Sequence, residues 1–304
     1  MTAEIDTVLA VGAHGRFAGF VPPALRGKGI KIRALVRDDA AAAAALGNGA
    51  TELARGDLRN PDTLLAAVRG VQGVFHIGPA FAPDEAEMGL NMVRVARQEG
   101  VAKFVYSSVI QPTYARLPNH ASKIVVEQAL FESGLDYTIL RPTNVFQNLV
   151  AAWPAIVETA TFAEPFPATM RVARVDYRDV AEAAAIAFSS NRLSYGAFDL
   201  CADGSPNRDE IVALMSHVLG RPIAAAEPNF DTWAAKASLP YAPAQIEVLR
   251  QVHAHYATHG APGNGLVLRA ILGREPRTLQ AFIQELATGQ SLTGPDAQPM
   301  TARS

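Results

Sequence analysis

The sequence predicts a Rossmann-like α/β protein, a doubly wound parallel sheet with a smaller mixed C-terminal lobe. Three observations predict it. Short apolar strands alternate with helices of about ten to fifteen residues through the first half, the pattern of a parallel sheet covered on both faces. The first strand runs directly into a glycine turn. The alternation then breaks near Pro142.

TVLAV (7–11) is the first strand, and a helical stretch follows to about Gly29. Pro22 and Pro23 fall about two turns into that helix, where they should remove backbone bonds and bend it. IKIRALV (30–36) is the second strand, followed by an alanine-rich helix over 39–46. TELARGD (51–57) is the third strand, 62–68 is helical, and GVFHI (73–77) is the fourth strand. A helix over 84–99 sets Met88, Met92, Val93 and Ala96 on one face. KFVYSS (103–108) is the fifth strand. LPNHASKIVVEQAL (117–130) is a short amphipathic helix with Ile124, Val125 and Leu130 on its apolar face, and LDYTILRP (135–142) is the sixth strand. Beyond it, ARVDYRDVAEAAAIAF gives a short strand and a helix, and GAFDLC another short strand. NRDEIVALMSHVLG is a helix with Asn207 as its N-cap and Gly220 just past its end. Helices over 245–258 and 279–287 follow. The chain thus divides into a dinucleotide-binding domain (1–145), a substrate lobe interleaved with it (146–288) and a flexible tail (289–304).

The 304 residues can bury roughly three quarters of their unfolded surface, so the fold needs no staples. The balance of 27 basic and 29 acidic residues gives nucleic acid no footprint. Cys201 stands alone, so no internal disulfide is possible and a reducing compartment is the simpler reading. No signal peptide is expected, and no apolar run approaches the ~20 residues of a membrane span. A cytoplasmic protein is expected, monomeric or homodimeric.

VLAVGAHGRFAG places Gly12 and Gly15 between the first strand and the first helix, with His14, Arg16 and Phe17 in the turn and Ala18 as its third small residue. Glycine permits the tight turn and lets a pyrophosphate approach the backbone, and the helix start offers N–H groups to the phosphates. About twenty residues on, Arg37 and Asp38 end the second strand. An acidic residue there holds the ribose of NAD, whereas arginine matches the 2′-phosphate of NADP. Arg37 comes first, so NADP(H) is favoured over NAD(H). Asp57 and Leu58 would flank the adenine, and Gly78 would admit the backbone beside the ribose. His76 reads as a strand-end residue at the same edge. His255 and His259 stand four apart on a helix, near His253, but no acidic or cysteine ligand at matching spacing joins them, and no metal is expected.

Several segments together resemble the NmrA-like branch of the atypical short-chain dehydrogenase/reductases: VGAHGRFAG, IRALVRD, GVAKFVYSS, ASKIVVE, LDYTILRPTNVFQN, VDYRDVAEAAA and LGREPRTLQAFI. The resemblance spans about residues 5 to 287. It implies NAD(P)H-binding reductases of quinones, dyes and conjugated double bonds, and also proteins that bind NADP(H) without turnover as sensors. It places Ser107, Lys123, Pro142, Thr143, Asn144 and Val145 at the nicotinamide end, and Phe146 and Asn148 towards the substrate. Trp153, Phe162, Phe166 and Tyr177 would line an apolar pocket between the lobes.

Ordinary short-chain reductases carry a tyrosine four residues before the lysine, so that both face the nicotinamide. Here that position is Asn119, and an amide cannot serve as the acid. Lys123 is therefore expected to clamp the ribose and to act as the catalytic residue, with His120 and Tyr114 nearby as other proton sources. Quinones, dyes and conjugated acceptors spread the incoming charge and need a positioned acid less than a plain ketone does. A small aromatic or conjugated acceptor is the expected partner. A non-catalytic NADP(H)-sensing regulator is the alternative. An epimerase or dehydratase fits less well, since those reactions also use the tyrosine.

Overall fold

The computed structural model describes residues 4–237 and 239–290. Positions 291–304 of the expected tail lie outside the described residues. Six strands form in the predicted order: β1 (Thr7–Val11), β2 (Lys31–Val36), β3 (Glu52–Arg55), β4 (Gly73–Ile77), β5 (Lys103–Ser107) and β6 (Asp136–Pro142). Three short strands follow, β7 (Asn144–Val145), β8 (Thr161–Ala163) and β9 (Arg174–Val175), and then β10 (Gly196–Leu200) and β11 (Ala224–Ala226). The central sheet has seven strands in the order β3-β2-β1-β4-β5-β6-β10, all parallel. Strand order reverses between β1 and β4, which puts the binding crevice outside the carboxyl ends of those strands.

Helices cover both faces. α1 (Val21–Arg26) and α2 (Asp39–Gly47) pack on one, and α3 (Pro61–Val68), α4 (Glu85–Gln98) and α5 (Pro118–Phe131) on the other. α6 (Asn148–Thr159) enters the smaller lobe, and α7 (Tyr177–Ser189) returns to the first face. α8 (Arg208–Leu219), α9 (Phe230–Lys236) and α10 (Pro243–His259) follow; α11 (Leu266–Leu272) packs with α7, and α12 (Leu279–Thr288) with α8. β1 shows why the strands are apolar throughout. Val8 and Ala10 enter one core cluster, while Leu9 and Val11 enter the other.

The structure corrects two readings of the sequence. Pro22 and Pro23 do not bend a helix; they begin one. α1 starts at Val21, after a 3-10 turn at Ala18–Phe20, and its first turn needs no N–H from either proline. On α5 the apolar face runs through Val126 and Leu130, both fully buried, whereas Val125 is exposed. The residues after 146 form small sheets of their own, β8 with β11 and β7 with β9, and also complete the main sheet, where β10 pairs with β6 and α7 packs on α1. α6 was not visible in sequence, because Pro154 interrupts its pattern; the proline sits seven residues in and the helix continues past it.

Candidate active site

The turn after β1 is built to bring backbone close to a ligand. Gly12 has φ +75°, and a Cβ there would lie 2.9 Å from Ile77 Cγ2 and 3.4 Å from Ala18 Cβ. Gly15 N donates to Gly12 O at 2.7 Å, closing the turn. Asn48, just past α2, donates to Ala13 O at 2.9 Å and holds the loop from outside. Among the described residues, the backbone N–H groups of His14, Arg16 and Phe17 donate to no other protein group. These donors suit phosphate oxygens. The Arg16 guanidinium lies over the Phe17 ring, 4.6 Å from its centroid. Phe17 stacks on Tyr177 at 5.7 Å, and the Tyr177 hydroxyl meets Ser107 Oγ at 2.9 Å.

Arg37 is exposed at the carboxyl end of β2. Asp38 is committed elsewhere. Its Oδ1 accepts from Ala41 N at 2.8 Å as the N-cap of α2. Arg55, at the end of β3, pairs with Asp39 beside it and brings a second guanidinium to this edge. Asp57 is half-buried and accepts from Arg59 N at 2.9 Å. The Leu58 side chain is in the core, and its carbonyl accepts from Asn91 Nδ2 at 3.1 Å. His76 is 1% exposed and stacks on Tyr106 at 5.7 Å. Burial, aided by the Lys123 charge, pushes its imidazole down to about 3, so it packs as a neutral ring.

A cavity of about 1070 Å³ opens at the carboxyl ends of β4, β5 and β6 and runs under the smaller lobe. Of the expected site residues, it gathers Arg16, Phe17, Gly78, Ser107, Lys123, Pro142, Asn144, Val145, Asn148 and Tyr177 on its wall, with Phe162 and Phe166 farther in. Gly12, His14, Gly15, Arg37, Asp57, Leu58 and His76 are not on that wall. Of the aromatic residues expected at the substrate, Phe146 is in the core and Trp153 is half-buried against it. Phe146 is 1% exposed and packs on Phe282 at 5.6 Å; Trp153 packs against the same C-terminal cluster. Neither lines the cavity.

Lys123 rises from α5 to the cavity wall beside Asn119 and His120. Its Nζ forms an ion pair with Glu85, at the start of α4, whose side chain is 3% exposed. Glu85 also accepts from Ser122 Oγ at 3.0 Å. No motif marked Glu85, since acidic residues in the first turn of a helix are ordinary. Gly78, expected to admit a ribose, makes room for this carboxylate: a Cβ on it would sit 2.6 Å from Glu85 Cγ and closer still to an oxygen. His120 Nδ1 lies 3.0 Å from Gln111 O. The carbonyl can only accept, so Nδ1 carries the hydrogen. Burial lowers the His120 pKa. A second feature the sequence did not show is a polar chain along the wall. Arg16 Nη2 donates to Asn148 Oδ1 at 3.3 Å, and Asn148 Nδ2 to Asn144 Oδ1 at 3.2 Å. Arg174 Nη1 also reaches Asn144 Oδ1 at 3.2 Å, and its Nη2 grips both oxygens of half-buried Glu164 at 3.0 Å.

Fold and site together define a doubly wound α/β protein of the dinucleotide-binding type, with a large cavity at the carboxyl edge of its sheet. The chain belongs to the NmrA-like family, whose pattern matches residues 4–272. It is 32% identical over 221 residues to an NAD(P)H azoreductase of Xenophilus azovorans, covering 71% of this chain and 75% of that protein. It is 25% identical to quinone oxidoreductase 2 of Escherichia coli, covering 71% and 76%. Its fold matches the triphenylmethane reductase of Citrobacter sp. in complex with NADP(H), with a TM-score of 0.80, 21% identity, and coverage of 93% and 100%. Among the described residues, no helix is long and apolar enough to cross a membrane.

Proposed function

We propose that this protein is an NADPH-dependent reductase that passes hydride to a small quinone-like, dye-like or otherwise conjugated acceptor. The observation that carries the reading is the cavity of about 1070 Å³ beside Lys123. Its wall runs from the residues that would hold the nicotinamide end, Lys123 and Pro142, on to Phe162, Phe166 and Trp233, and a reductase needs that further room for a second molecule whereas a cofactor sensor does not. The named activities of the azoreductase and the quinone oxidoreductase fall in the same class.

The residues fit an NADP(H) molecule. The Gly12–Gly15 turn would hold the pyrophosphate by backbone N–H groups, and Arg37 the 2′-phosphate, since Asp38 is occupied as a helix cap. Lys123 would hold the nicotinamide ribose, and Pro142, Thr143, Asn144 and Val145 would border the ring. The bound cofactor supplies the hydride; the chain orients both partners and excludes water. With Asn119 in place of an acid tyrosine, Lys123 is the proton-bearing group on the wall, joined by Tyr114 and His120.

The test is NADPH oxidation, followed by absorbance, with and without a panel of quinones, azo dyes and triphenylmethane dyes. Acceptor-dependent oxidation is expected, reduced about 100-fold or more in Lys123→Ala. Tight NADPH binding with no turnover on any acceptor would instead make the protein a regulator.

A further inference from the structure

We propose that Glu85 is the positioning residue for Lys123, a carboxylate that takes over the orienting half of the missing tyrosine–lysine arrangement. The inference rests on the reading above only in placing Lys123 at the cofactor.

Three observations carry it. Glu85 is 2% exposed, yet it lines the cavity and ion-pairs with Lys123 Nζ. A carboxylate so placed is held by more than the lysine. Ser122 Oγ donates to its other oxygen at 3.0 Å, from the residue preceding Lys123 on the same helix. The site is also shaped for it, because Gly78 at the end of β4 leaves the space that the Glu85 side chain fills. Side chains from α4 and α5 and the glycine just past β4 therefore converge on one point, and that point fixes Nζ.

Lysine has three N–H donors on a flexible stem. Committing one to Glu85 restricts where the other two can point, and the lysine lies on the cavity wall. Glu85 touches neither reacting atom. It acts through the lysine, by reducing the freedom of the ammonium before cofactor arrives.

Glu85→Gln keeps the shape and removes the charge. We expect NADPH and NADP+ affinities, read by quenching of protein fluorescence, to fall about 10-fold, and kcat to fall by a similar factor while the acceptor KM stays within about twofold. Lys123→Met leaves a buried carboxylate unpaired and is expected to lower Tm; Glu85→Gln/Lys123→Met removes both charges and should recover it. The double variant should bind NADPH as Lys123→Met alone does, because nothing is left to position. Wild-type NADPH affinity in Glu85→Gln would overturn the proposal. So would losses that simply add in the double variant, since Glu85 would then act on its own. Because binding is read without acceptor, a wild-type chain that binds NADPH but turns nothing over would refute the reductase reading and leave this test standing.

Discussion

At the scale of single residues, the family resemblance pointed to Lys123, Ser107 and Pro142, and the fold brings all three to the wall of one cavity. Arg37 was read from the residues alone, as the first side chain past the second strand, and its proposed role can be measured. Arg37→Ala should weaken NADPH binding about 10- to 100-fold, the loss of a charge-assisted contact, and change NADH binding less than about twofold. Parallel titrations with the two cofactors check it; equal losses would mean the guanidinium does not meet the 2′-phosphate. Glu85 was not legible, because an acid in a first helical turn looks like routine dipole complementarity, and only the fold reveals the lysine above it. Phe146 and Trp153 were misplaced for a related reason. A large aromatic residue near a site in sequence is apolar whether it faces the ligand or the core, and here Phe146 is in the core and half-buried Trp153 packs against it.

At the scale of elements, alternation with helices located the six strands of the first half, including β3, which lies at the sheet edge and is only half-buried. It misread Pro22 and Pro23 because a proline that starts a helix and one that breaks it look alike until the start is known. α8 shows the opposite, an end fully written in local chemistry. Asn207 Oδ1 accepts from Glu210 N at 2.9 Å, and Glu210 Oε2 accepts from Asn207 N at 3.0 Å, a reciprocal capping box. Asn207→Ala should cost about 1 kcal/mol, read as a lower urea midpoint with an unchanged slope. Asn207→Asp should cost much less, because its side-chain oxygen still accepts. Equal losses in the two variants would show that the cap contributes through something other than that acceptor.

At the scale of the whole molecule, the chain crosses between its two parts. β10, α7 and α11 return to the main sheet, while α8 and α12 build the smaller core. Each part buries a histidine: His76 under the central sheet edge and His253 among Phe166, Phe230 and Trp233. Burial holds both imidazoles low, His76 at about 3 and His253 at about 4. Above about pH 6.5 both are neutral whether the chain is folded or not, so they leave stability unchanged there. Below it the unfolded chain takes up both protons while the folded chain takes up neither, and stability falls as pH falls, until the folded values are reached. At pH 5 that is about 2 kcal/mol from each histidine. His120, also lowered by burial, adds in the same direction. Urea unfolding at pH 7.5 and pH 5 measures the loss above the range where most carboxylates titrate. His253→Phe should remove one histidine's share and flatten the pH dependence by about one proton, whatever it does to stability at pH 7.5. An unchanged slope in that variant would mean that His253 titrates normally in the folded chain and is not shut away from water as its ring of aromatic neighbours implies.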